Sequence, residues 1–206
     1  AGDRQQYSIL VDGYKTFGNY GILFPLKDSK GRIVNFYAIR IKTKPEEHAL
    51  LNQDGIYPCY PHEMTTRLFV VTAMMDAATL LESTVMQNRD SLIYIPNGKI
   101  LKQHQEAIGR LSTLHTLIWI EGTLKNNETM KDTENQLRSL IQRVPLRKVV
   151  VPEKDNLNQI FLREGSAGIQ KLLDTSSLIE EVTEVESVPL PITPKETLQE
   201  EEVLVF

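Results

Sequence analysis

The chain is poor in cysteine and in long apolar runs, and each shortage closes off a class of protein. One cysteine, Cys59, stands among 206 residues, so no internal disulfide is available, and a reducing, cytoplasmic setting is expected. No apolar stretch reaches the ~20 residues that a membrane-crossing helix needs. The opening AGDRQQYS lacks the basic and apolar regions of a secretory leader, so no membrane partner is expected. Cys59, His48, His62, His104 and His115 are scattered without the spacing of zinc ligands. What is present, 41% hydrophobic and 24% charged residues, is the composition of a globular chain able to bury a sizeable core.

The net charge of −4 hides an internal asymmetry. Residues 179–206 carry eight acids and one lysine, which leaves 19 acids and 22 basic residues in the first 178. That part is weakly basic and does not repel a polyanion. The acidic segment contains PLPITP and reads as a linker or tail. Its last residues, VLVF, are strand-like, and a further domain is expected beyond them.

Three regions follow: 1–66, small and β-rich; 67–178, α/β; and 179–206, the acidic tail. In the first, ILFPL and RIVNFYAIRI flank Asp28-Ser29-Lys30-Gly31, which predicts a hairpin over 22–41. Pro25 marks its first strand as an edge or bulged strand. Residues 43–64 are rich in proline and glycine and read as a loop. From Arg67 onward apolar runs alternate with helical patterns: LFVV, then AMMDAATLLES; LIYI, then 102–111; TLIWI, then 129–142; KVVV, then 166–174. Four β-then-α units predict a mainly parallel sheet flanked by helices. Sites in such sheets form beyond the carboxyl ends of the strands.

The motifs at those ends, in their order, carry a resemblance. ILFPLKDSKGRIVNFYAIRI (22–41) is similar to a subdomain in which a Phe-Pro strand turns through Gly-Arg into a second strand, and 45–60 loosely follow the loop beyond it. RLFVVTAMMDAATLL (67–81) is similar to a strand, Glu-Gly-x-x-Asp and a helix; LIWIEGT (117–123) to a strand ending in Asp-x-Asp. LIYIPNGKILKQHQEAI (92–108) takes the place of a strand, small-residue loop and helix. VVVPEKDNLNQIFLREGSAGIQKLL (149–173) is similar to a Pro-Asp-Gly-x-Asp-Pro-Asp loop leading into a last helix. Together they resemble the RNA-polymerase core, with its TOPRIM domain, of bacterial DnaG-type DNA primases.

The resemblance implies carboxylates at the strand tips that hold Mg²⁺ or Mn²⁺ for nucleotidyl transfer. At those positions this chain has Thr72 for the glutamate, Glu121-Gly122-Thr123 for Asp-x-Asp, and Asn156-Leu157-Asn158 for Asp-Pro-Asp. Asp76 and Glu121 keep a carboxylate and are the candidate catalytic residues; with the neighbouring Asp155 they are the candidate metal ligands. Loss of the other acids weakens such a site. Asp76 is also explained by a helix N-terminus, and Glu121 by a solvated strand end. Arg40, Lys42 and Lys44 recur at period two, with Arg32 nearby, as a candidate nucleic-acid track; solvated edge lysines give the same pattern. Trp119, Phe36 and Tyr37 read as core, and Pro96-Asn97-Gly98-Lys99 as an ordinary turn.

Three functions fit. One is a primase-like module of a replication or mobile-element protein, binding single-stranded template DNA, a replicative helicase or further domains of its own protein, with weak or no catalysis. Another is an active primase core, using Mg²⁺ or Mn²⁺. The last is a docking module that touches no nucleic acid and needs no cofactor.

Overall fold

Apolar residues on both faces of a strand require cover on both faces, and this decides the architecture around the central sheet. The computed structural model describes residues 10–11, 14–15, 20–40, 47–122, 127–141 and 144–179. Two short strands, β1 (Leu10–Val11) and β2 (Tyr14–Lys15), pair with each other. A second sheet holds β3 (Gly21–Lys27), β4 (Ile33–Arg40) and β5 (Glu47–Leu50), antiparallel in that order. The hairpin forms where expected: Asp28 accepts from the Lys30 and Arg32 amides, each at 2.9 Å, an Asx-type turn. Pro25 sits in an edge strand, with a register shift at Leu26/Lys27, so its missing N–H costs no ladder bond. The stretch 43–64, expected as a loop, instead supplies β5, which is held by pairing with β4.

The larger sheet runs β10 (Ser177–Leu178), β9 (Leu146–Val150), β8 (Thr116–Glu121), β6 (Arg67–Val71), β7 (Asp90–Tyr94). Its four longer strands are parallel, and β10 adds an antiparallel edge. The helices are α1 (Met74–Glu82), α2 (Lys102–Gly109), α3 (Asn127–Leu140) and α4 (Leu157–Asp174). This is the mainly parallel α/β sheet read from the sequence, with one change. The last helix begins at Leu157, not 166, because it bends at Gly165 (φ 65°) and continues.

Alternate residues of each strand enter separate cores. Phe69, Val71, Leu92, Ile118 and Ile120 pack beneath α1 and α4, whereas Leu68, Val70, Ile93, Leu117 and Trp119 pack beneath α2 and α3. Full burial of each large side chain stabilises the fold by roughly 1.5–3 kcal/mol. The small sheet joins the first core through Phe24 and Ile39.

The segment after β5 fastens the two sheets together. Ile56 exchanges backbone hydrogen bonds with Lys27, at 2.9 and 3.0 Å, and the Tyr94 amide donates to the Tyr57 carbonyl at 3.1 Å. Gly55 makes this passage possible: at φ +82°, a Cβ there would stand 2.9 Å from both Leu26 Cβ and Val34 Cγ2. Buried Asn35 holds the same turn by donating to the carbonyls of Asn52 and Asp54, at 2.8 and 3.1 Å. The face of the small sheet is thereby fixed opposite the carboxyl ends of β6 and β7.

Candidate functional site

Beyond the tip of β6 the chain turns into α1, and Asp76 falls in that helix's first turn with its carboxyl buried. Its Oδ1 accepts from the Leu157 amide at 3.0 Å. Asp76 therefore satisfies a donor at the start of α4, a different helix from its own. Burial pushes its carboxyl up to about 6, against the pull of that hydrogen bond. A Cβ at Gly122 would lie 3.1 Å from Asp76 Oδ2 and 3.3 Å from Thr72 Oγ1. Three motif positions from two segments thus meet at one point. The Thr72 hydroxyl oxygen is buried there without a hydrogen-bond partner.

Glu121 ends β8 on the same strand face as Trp119, two residues earlier. Trp119 lies in register with Lys148 on β9, so the lysine reaches along that face. Lys148 forms an ion pair with Glu121 Oε2, and its Nζ stands 4.9 Å from the centre of the Trp119 ring. Pairing and a cation–π contact together make a mostly buried ammonium tolerable. Asp155 is gripped by Arg163 through two hydrogen bonds, at 3.1 and 3.0 Å, which hold its carboxyl below the usual range. Asn156 caps α4: its Oδ1 accepts from the Gln159 amide at 2.8 Å, and Gln159 Oε1 accepts from the Asn156 amide at 3.0 Å. Asparagine serves as well as aspartate in that role.

These donors do not fit the Mg²⁺ or Mn²⁺ that the resemblance implies. Such ions take hard, charged oxygen ligands around an open position. Here Asp76 Oδ1 accepts from an amide, Glu121 Oε2 pairs with Lys148, and both oxygens of Asp155 are held by Arg163. No group of three metal-ligating side chains occurs among the described residues. Thr123, the remaining motif position, lies outside them.

Between the small sheet and these tips opens a cleft of about 660 Å³. Thr72, Asp76, Asn97, Asn156 and Asn158 line one side, and Tyr37 and His48 the other, with Tyr94 between. Tyr37 hydroxyl lies 2.8 Å from His48 Nδ1, and Tyr94 hydrogen-bonds Tyr37. Burial raises the Tyr94 phenol far above its ordinary value. Tyr37 was expected in the core and is partly so, but it also faces the cleft. Sequence reasoning gave His48 and Tyr94 no part in the site; His48 is brought there by the pairing of β5 with β4, which sets it in register with Ile39.

Of the candidate basic track, Arg32 and Arg40 stand at opposite ends of β4, so roughly 26 Å of strand separates them at about 3.3 Å per residue. Arg32 is tied to Asp28 at 2.7 Å. Lys42 and Lys44 lie outside the described residues.

With four parallel strands in this order, acids at their tips and a small antiparallel sheet across the cleft, the likeness to solved structures is decisive. The chain has the fold of a DnaG-type primase catalytic core. It matches a DnaG primase catalytic domain bound to single-stranded DNA with TM-score 0.63 and 14% identity, over 84% of this chain and 56% of the other. For the Aquifex aeolicus primase, solved with its zinc-binding and RNA-polymerase domains, the values are 0.62, 16%, 85% and 45%. A Pseudomonas aeruginosa primase domain gives 0.57, 15%, 85% and 58%. The chain thus spans about half the length of these primase structures. No family model and no curated protein sequence matches it.

Proposed function

We propose that this chain is a primase-like module that binds single-stranded DNA for a replication protein and carries out little or no metal-dependent primer synthesis. One observation carries this reading: within the primase-core fold, the carboxylates at the strand tips are each engaged by a group of the protein, above all Glu121 by Lys148. Replacing an open carboxylate by an internal ion pair keeps the scaffold neutral and removes the charge that would attract a cation. DNA binding is supported by the weakly basic first 178 residues and by the fold of structures solved with single-stranded DNA or with a duplex bearing an overhang. Arg40, Lys42 and Lys44 are the proposed phosphate contacts. Another protein of a replication assembly is the proposed second partner, since phage T7 primase domains of this fold were solved against a DNA polymerase.

The test pairs two assays on the full chain. Fluorescence anisotropy with a labelled single strand is expected to show binding that weakens steeply with salt and falls in Arg40→Gln. Primer synthesis on a single-stranded template with Mg²⁺ or Mn²⁺ is expected to be absent or barely above background. The competing reading is an active core that holds metal through Asp76, Glu121, Asp155 and substrate phosphates. It predicts robust synthesis abolished by Glu121→Gln, and that result would replace the proposal.

A further inference from the structure

The cleft of about 660 Å³ is within the range of roughly 300–1,000 Å³ typical of small-molecule sites, and its lining discriminates sharply by charge. Among the described residues that line it there is no lysine and no arginine; the one acid is Asp76. Its other polar groups are the hydroxyls of Thr72, Tyr37 and Tyr94, the imidazole of His48 and the amides of three asparagines. A triphosphate is a strong polyanion. Here it would meet a carboxylate and, among the described residues, no cation and no cluster of metal-ligating side chains, and buried charge without a partner is costly. A neutral ligand meets none of these penalties.

The lining also specifies the ligand's shape and edges. Tyr37, half-buried, gives the cleft an aromatic ring, the kind of surface on which a flat ring packs, while Tyr94 is 3% exposed and packs edge-on against it. The side-chain amides of Asn97 and Asn158 make no hydrogen bond to another described residue, and each offers a donor and an acceptor together. That pairing reads the edge of a heterocyclic base. Asn97 is presented by a left-handed backbone (φ 50°) at the tip of β7. At the floor lies Thr72, 7% exposed, whose hydroxyl oxygen has no partner. An orphaned buried polar atom calls for an explanation, and a bound polar molecule is one.

We infer that the cleft is a binding site for an uncharged nucleobase, entering as a free nucleoside or as an unstacked base of a single strand, and that it rejects nucleoside triphosphates. The choice of a nucleobase over other flat polar heterocycles rests on the primase-like, DNA-binding reading above.

Calorimetric titration of the full chain with adenosine, guanosine, cytidine and thymidine, and with ATP in the presence and absence of Mg²⁺, tests this directly. At least one nucleoside is expected to bind, and its affinity is expected to fall about tenfold or more, a loss of 1.4 kcal/mol or greater, in Asn158→Ala and in Asn97→Gly. The glycine keeps the left-handed backbone while removing the amide. The nucleoside that binds best is expected to do so more tightly than ATP with or without the metal. A single-stranded oligonucleotide and its abasic counterpart identify the source: tighter binding of the intact strand, lost in the same variants, assigns the site to a strand base. Equal binding of the two strands beside measurable nucleoside affinity assigns it to the free nucleoside. Magnesium–ATP binding as tightly as the best-bound nucleoside or more so overturns the inference. So does the absence of nucleoside binding together with equal affinity for intact and abasic strands. In that second case salt-dependent strand binding would leave the DNA-binding reading standing, so the two failures are distinct.

Discussion

The two ends of the parallel sheet each carry a cation that rests on an aromatic ring and pairs with an acid, yet the two pairs are built differently. At the amino end Arg67 lies in register with Asp90, donates to both carboxylate oxygens, and stands 5.0 Å from the Phe69 ring centre. Asp90 also accepts from the Gln87 amide at 2.7 Å. All its oxygens are served, its side chain is 3% exposed, and it stands where a strand begins, away from the cleft. At the carboxyl end Lys148 makes a single ion pair with Glu121. The amino-end pair fixes register; the carboxyl-end pair sits at a position where the primase resemblance implies a metal-binding acid. A forked guanidinium with three-point satisfaction is a device for holding structure, whereas a lysine on one oxygen is a neutralising charge.

Removal of the acid at the amino end is expected to have the largest effect. Asp90→Ala strands the mostly buried Arg67 guanidinium and leaves the Gln87 amide unpaired. A loss of about 3–5 kcal/mol is expected, or about 10 °C in melting temperature for a chain of this size. Urea denaturation measures it, and Mg²⁺ is expected to leave the loss unchanged. A cost under about 1 kcal/mol would show the two pairs to be alike and weak.

Next is the carboxyl end. Lys148→Met leaves Glu121 buried without its cation, for an expected loss of about 2–3 kcal/mol. Adding Glu121→Gln in the same chain is expected to recover most of it, since the uncompensated charge is gone. Divalent metal sharpens the contrast. Mg²⁺ or Mn²⁺ is expected to leave the melting temperature of the unmodified protein where a chelator leaves it. A saturable rise with metal, absent from Glu121→Gln, would mean that an ion binds at Glu121 despite Lys148.

How far the sequence foretold these features follows the range of the forces involved. The β-then-α alternation was legible because strands covered on both faces must be continuous apolar runs, as in LFVV and TLIWI. Strand β5 was not, because Glu47–Leu50 lies among prolines and owes its form to pairing with β4. Strand β10 is two residues long and carries no pattern of its own. At the site, motif order marked the strand tips that carry Thr72, Asp76 and Glu121, and the fold sets Gly122, beside Glu121, against Thr72 and Asp76. The partners that decide their chemistry stayed invisible. Lys148 opens the apolar run KVVV and reaches Glu121 from the neighbouring strand, and the Leu157 amide reaches Asp76 from a segment 81 residues away. Such contacts are properties of assembled elements and leave no local trace.

The smallest expected effect in the unmodified protein conceals two larger ones that oppose each other, again one on each side of the sheet. Asp76, buried in the first turn of α1 against the start of α4, has its carboxyl raised from 3.8 to about 6 by burial. Between those values the folded state binds the proton more tightly than the unfolded state, so this group's contribution to stability falls as pH rises from about 4 to about 6. His104, buried beneath α2 with Nδ1 accepting from the Leu101 amide at 3.1 Å, is lowered from 6.5 to about 4 by burial. There the unfolded state holds the proton more tightly, so stability rises over nearly the same window. Each effect is about 2–3 kcal/mol at full extent, and the two nearly cancel between pH 4 and 6. Asp76→Asn keeps an acceptor for the Leu157 amide and removes one side of the balance. Its stability in urea is expected to fall by about 2–3 kcal/mol as pH drops from 6.5 to 4. His104→Gln removes the other, so that its stability rises by a similar amount as pH drops from 6 to 4. Parallel pH profiles for the unmodified protein and both variants would show that neither group titrates in the fold as its burial requires.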